Sequence, residues 1–144
     1  MKTEVLFSSK SIEMETPQNF FDKLNEEFRF TLDPCASDLN HKCDKYYTKE
    51  QDGLKQDWSG ERVFCNPPYG RGLRKWCEKC FKEVYAGKCE LAVLFIPART
   101  DTQWFHEWCY NKSEIRFIKG RIKFGNSTTN APFPSMLVIF RTGG

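Results

Sequence analysis

Residues 63 to 70 read VFCNPPYG, and the middle four, Asn66-Pro67-Pro68-Tyr69, have the types and spacing to grip a flat amine. Each pyrrolidine ring fixes its own φ and pushes the preceding residue toward extended geometry, so the stretch is stiff. Neither proline has an N–H, and the loop offers acceptors with almost no competing backbone donors. The Asn66 side-chain carbonyl and the Pro67 backbone carbonyl form two rigid oxygens side by side. An exocyclic –NH2 group has two hydrogens to give to such a pair. Tyr69 adds a face on which a planar ring can stack. Such a site suits activation of an aromatic amine, whose delocalised lone pair is drawn back onto nitrogen by fixed acceptors. The plain alternative is a rigid strand-to-helix turn without chemistry.

A second candidate is Cys77-x-x-Cys80, which His41 and Cys43 could complete to four zinc ligands. Leu73, Trp76, Cys77, Cys80, Phe81 and Val84, however, repeat as the apolar stripe of one helix, where a thiol is a small core residue. Core packing is the stronger reading, and no metal is expected. Seven cysteines at irregular spacing fit reduced thiols better than a disulfide framework. Arg71, Arg74 and Lys75 follow the proline motif and can meet phosphate or simply solvate a helix start. Arg99 has a better claim, in a strand-end loop. Lys119, Arg121 and Lys123 alternate with Ile122 and Phe124, as one wet strand face does. His106, among aromatic residues, reads as structural.

The elements that must position these residues are legible in part. Thr16 is expected to cap a helix with Pro17 at its first position, followed by a stripe of Phe20, Phe21, Leu24 and Phe28. Strands are expected at 29–33, 45–48, 62–65, 91–96 and 135–140, with further alternation at Ile115/Phe117 and Ile122/Phe124. A short helix carries Trp104, Phe105 and Trp108. This order predicts an α/β fold: a compact Rossmann-like sheet with a parallel centre, an antiparallel C-terminal edge and helices on both faces. Ligands in such sheets bind beyond the carboxyl ends of the strands. "DPCAS", "NPPYG" and "PARTDT" should therefore converge on one rim. Residues 1–15 read as a polar arm ahead of a single domain, 16–144.

The bulk properties are those of an ordinary soluble domain of 144 residues, 40% hydrophobic and 28% charged. The longest apolar run, Leu91 to Ile96, is too short to cross a bilayer and no signal-peptide core precedes it, so a cytoplasmic location without membrane contact is expected. A net charge of +3 permits nucleic-acid binding without demanding it.

"TPQNFFDKLNEEFRFTLDPCAS", "DGLKQDWSGERVFCNPPYG", "IPARTDTQWFH" and "GRIKF…APFPSMLVIF", in that order, resemble the phage-type DNA N-6-adenine methyltransferase family. The similarity runs from about Leu6 to Arg141, and NPPY resembles the catalytic motif of amino methyltransferases in general. The resemblance implies a methyltransferase sheet, S-adenosyl-L-methionine as cofactor, and double-stranded DNA as partner, with an adenine flipped out and methylated at N6. It assigns Asn66, Pro67 and Tyr69 to catalysis. Thr16, Pro17 and Phe20 would pack against the methionine end of the cofactor. Asp33, Pro34, Cys35 and Ala36 would form the cofactor loop, and Asp57 would accept from the cofactor adenine or else merely cap a turn. Asp44, Glu50 and Asp52 are all candidates for the ribose. Pro68, Arg71, Arg74, Arg99 and Arg121 would meet DNA. The first loop departs from the family habit in having no glycine, which leaves a nucleic-acid-binding module without cofactor as one rival. RNA or a protein glutamine amide as substrate is the other.

Overall fold

The computed structural model describes residues 14–125 and 128–142. Most of the expected N-terminal arm (1–13) lies outside the described residues, as do Asn126 and Ser127. Six strands form one sheet in the order β2-β1-β3-β4-β6-β5. They are β1 (Leu32–Ala36), β2 (Lys45–Thr48), β3 (Arg62–Cys65), β4 (Leu91–Pro97), β5 (Glu114–Phe117) and β6 (Ser135–Arg141). The first four run parallel, and β6 lies antiparallel to both β4 and β5. The expected parallel centre and antiparallel C-terminal edge are both present.

Period-two alternation divides the core between the two faces. Phe64, Val93, Phe95, Leu137 and Ile139 pack under helix α1 (Gln18–Phe28), against Phe21, Leu24 and Phe28. Val63, Cys65, Ala92, Leu94, Ile96, Val138 and Phe140 pack under helix α2 (Leu73–Tyr85), against Trp76, Cys77, Cys80 and Val84. Strand β4 is buried at every position because it is covered from both sides. No helix among the described residues is long and apolar enough to cross a membrane.

The structure departs from expectation at four places. The first strand begins later than residues 29–33 and contains Pro34, although β1 lies between two neighbours. A proline cannot donate to the ladder, and the register slips between Asp33 and Ala36. The buried Asp33 carboxylate makes up the loss, accepting from Cys35 N at 3.2 Å and Lys42 N at 2.9 Å. Thr16 does not cap α1; Pro17 holds the cap position, and no side-chain cap bond forms there. Ile122 and Phe124 alternate without pairing, so no strand forms around them. Phe105 and Trp108 belong to a π-helical turn, Phe105–Cys109, with Trp104 at its N-cap, rather than to an α-helix.

One connection bears directly on the site. Parallel strands ordinarily need a helical crossover, yet residues 37–44 carry the chain from β1 to β2 without one. Ser37 and Asn40 exchange two backbone hydrogen bonds to reverse the chain, and Lys42 N then docks on Asp33.

Candidate active site

Because β1, β3 and β4 are parallel, the segments at their carboxyl ends share one rim. Asn66 follows Cys65 at the end of β3, and the alternation that puts Phe64 on the α1 face puts Asn66 there too. Its amide nitrogen is fully engaged, and its oxygen holds one partner. Nδ2 donates to the Met14 carbonyl at 2.7 Å and to Thr16 Oγ1 at 3.0 Å, while Oδ1 accepts from the Tyr69 hydroxyl at 3.1 Å. Among the described residues no backbone N–H outside the helices and strands donates to the Pro67 carbonyl.

Tyr69 is not the open platform that its position suggested. Its hydroxyl is shared between Asn66 Oδ1 and the Phe95 carbonyl, the latter at 3.3 Å. Its ring meets Phe133 edge-on, centroids 5.6 Å apart, and Phe124 likewise at 6.4 Å. Phe124 in turn stacks on Phe95, which contacts Phe20. Burial pushes the phenol's pKa up, so it stays a protonated donor. The aromatic wall of Phe95, Phe124 and Phe133 was missed by sequence reasoning. Phe133 lies in "APFPS", whose prolines were the one available signal.

The first loop reaches Cys65, the residue before Asn66. Pro34 is buried, while Cys35 and Ala36 are half-buried, with Cys35 Sγ 3.7 Å from Cys65 Sγ. Desolvation pushes both thiols up, which makes them poor nucleophiles. Burial also raises the Asp33 carboxyl, against the pull of its two backbone donors.

Topology discriminates among the other acids. Asp57 precedes β3 and lies within electrostatic reach of Lys45, the first residue of β2, and of Lys88, just ahead of β4. That is the amino-terminal side of the sheet. Its exposed carboxylate accepts from the Ser59 hydroxyl at 2.6 Å and from Ser59 N at 3.0 Å, bonds that lower its pKa. Asp57 is thus not brought to the rim. Asp44 also precedes its strand, whereas Glu50 and Asp52 follow β2 on the carboxyl side. Asp52 adopts φ 56° and caps the 3-10 turn Gly53–Lys55. A Cβ on Gly53 would stand 2.3 Å from the Pro34 carbonyl, so glycine is required to seat this turn against the first loop.

Matched along residues 7–143, this chain fits the family model of DNA N-6-adenine-methyltransferase (Dam). The chain belongs to the DNA N-6-adenine-methyltransferase family. That is a family of adenine-specific DNA methyltransferases. The chain is similar to the DNA N-6-adenine-methyltransferase of Haemophilus phage HP1, 33% identical over 118 residues, covering 78% of this chain and 67% of the relative. It is also similar to the DNA N-6-adenine-methyltransferase of Escherichia phage T1, 31% identical over 106 residues, covering 72% of this chain but only 43% of that longer protein.

Of the basic residues that the family resemblance pointed to, Arg99 lies at the aromatic wall. The Arg99 guanidinium lies 5.8 Å from the Phe133 ring centroid, and Arg121 Nη1 donates to the Ala131 carbonyl at 3.2 Å. Pro68 and Arg71 are exposed in the turn after β3, and Arg74, on the first turn of α2, pairs with Glu78 at 3.7 Å. Cys77 and Cys80 are buried under α2, while His41 stacks on Tyr46. Among the described residues no three His, Cys, Asp or Glu side chains cluster so as to hold a metal ion.

Proposed function

We propose that this member of the DNA N-6-adenine-methyltransferase family transfers the methyl group of S-adenosylmethionine to N6 of an adenine flipped out of double-stranded DNA. The observation that carries the reading is the Asn66 carbonyl oxygen, held at the carboxyl end of β3 beside the half-buried first loop. Adenine N6 is a poor nucleophile because its lone pair is delocalised into the ring. Asn66 Oδ1 and the Pro67 carbonyl accept its two hydrogens and favour the form in which that pair is localised.

In the resting chain Oδ1 is taken by Tyr69. The incoming amine therefore exchanges with the phenol, and Tyr69 leaves its edge-on seat to lie against the base. Stacking is worth about 1–3 kcal/mol, against the few kcal/mol that unstacking a paired base costs.

The residue types at the rim support this choice of cofactor. S-adenosylmethionine, when bound, supplies an electrophilic methyl on a sulfonium. The buried Pro34 and the half-buried Cys35 and Ala36 offer small walls in place of glycines, and Pro17 and Phe20 close the side next to the strap that holds Asn66. Asp52 is the acid positioned for the adenosine, in place of Asp57. Asp33 supports that loop from beneath. Arg99, Arg121, Arg71, Arg74 and Pro68 face the DNA backbone in this reading.

The test is Asn66→Ala assayed with labelled cofactor on duplex DNA, RNA and protein. Cofactor binding is expected to persist while methyl transfer to DNA falls by about 10²–10³-fold or more. An Asn66→Ala protein with wild-type turnover, or a wild type that labels RNA or protein instead of DNA, overturns the reading.

A further inference from the structure

The two ends of a side-chain amide have nearly the same shape and opposite chemistry: the oxygen only accepts and the nitrogen only donates. Which end of Asn66 faces a substrate is therefore decided by what holds the other end. Here the holder is a backbone carbonyl, that of Met14, which can only accept. A half-turn of the amide would set Oδ1 against the Met14 oxygen, two acceptors face to face. It would also turn the nitrogen away from Thr16 Oγ1.

We propose that the Met14 carbonyl and the Thr16 hydroxyl form a lock that fixes the orientation of the Asn66 amide, making Thr16 a positioning residue for methyl transfer. Its catalytic meaning rests on the function proposed above; its geometry does not. Thr16 is only 4% exposed and makes no cap bond to α1; its hydroxyl accepts from Asn66 instead. The segment carrying the lock is itself restrained on both sides. Gly125 N donates to the Glu15 carbonyl at 2.8 Å, and Phe21 N donates to the Pro17 carbonyl at 3.1 Å. The strap 14–17 thus ties the amide to α1 on one flank and to the loop before β6 on the other. With its nitrogen committed to the strap, the amide has its oxygen directed to the side where the Tyr69 hydroxyl now lies.

Two variants separate this from a purely structural role. Thr16→Val keeps the shape and removes the acceptor, and Thr16→Ser restores it. The first readout is hydrogen exchange of the Asn66 side-chain amide by NMR. It should be slow in the wild type, at least about 10-fold faster in Thr16→Val, and slow again in Thr16→Ser. The second is methylation of duplex DNA. Thr16→Val should lower kcat about 10-fold while KM for DNA and Kd for S-adenosylmethionine stay within about 2-fold, with Thr16→Ser close to wild type.

An Asn66 amide that exchanges as fast as a surface asparagine in the wild type overturns the lock without any variant. So does a Thr16→Val protein with unchanged kcat, or one whose loss lies in cofactor Kd, which would make Thr16 a cofactor contact only. A wild type that does not methylate DNA defeats the functional reading alone, since the exchange measurement still judges the lock.

Discussion

The two faces of the sheet are built from adjacent residues of the same strands, and they differ in kind. The α1 face is lined with phenylalanines (Phe21, Phe28, Phe30, Phe64, Phe95, Phe124 and Phe133), and its carboxyl end carries Asn66 and Tyr69. The α2 face holds Cys65, Cys77, Cys80, Cys89 and Cys109 among aliphatic residues and tryptophans. Parity decides the assignment: Phe64 and Asn66 point one way, Cys65 the other. The lesson is that polar chemistry enters where rigid rings meet edge-on and leave a wall that other rings can match. On the cysteine-rich face burial pushes thiols such as Cys65 and Cys80 up, and they pack as small core side chains.

That contrast can be broken most sharply at Tyr69. Tyr69→Ala removes the ring and should cost about 10²-fold in kcat/KM on duplex DNA, in line with the loss of one stacked base. Tyr69→Phe keeps the ring, releases Asn66 Oδ1 and should stay within a few-fold of wild type. Equal losses in the two would show that the hydroxyl, and not the ring, is what matters.

On the other face, Cys80→Ala should lower stability by roughly 0.5–3 kcal/mol in denaturant melts while leaving kcat unchanged. A cysteine variant on this face that abolished turnover without destabilising the chain would dissolve the distinction.

The smallest effect lies at the antiparallel edge, where Arg116 forks onto Glu27 with both contacts at 2.7 Å and reaches Glu114 at 2.8 Å. Arg116 hydrogen bonds hold both carboxyls below their ordinary value of 4.5. A lowered folded pKa gives stability that is present above the unfolded value and lost as pH falls through the folded one. Arg116→Ala should therefore lower the melting temperature at pH 7, where the contribution is fully present, and flatten the acid limb below about pH 4.5 so that variant and wild type converge. The groups are largely solvent-exposed, so the change is modest.

What could be read from sequence follows from how local each signal is. β2, β3, β4, β6 and α2 were legible because alternation, a continuous apolar run or a helical stripe is written within a dozen residues of chain. β1 was misplaced because Pro34 marks a strand's end by every local rule, and only the carboxylate of Asp33 and a slipped register let the strand continue. Of the candidate site, Asn66 and the rim were visible. The seat of Tyr69 was not, since Phe124 and Phe133 come from the far side of the chain. Nor was the partner of Thr16, fifty residues away. Asp57 was singled out by its neighbours in sequence, and only strand direction puts it on the amino-terminal side of the sheet.

The hydrogen bond from Tyr69 to Asn66 has a consequence for product release. On the proposed reading, one oxygen serves the phenol and the amine in turn, so it is never left dry and unsatisfied between catalytic cycles. An unmodified base brings two hydrogens to the pair of acceptors, and a methylated one brings only one. The returning phenol therefore competes better against product than against substrate, and the resting contact biases each turnover toward discharge.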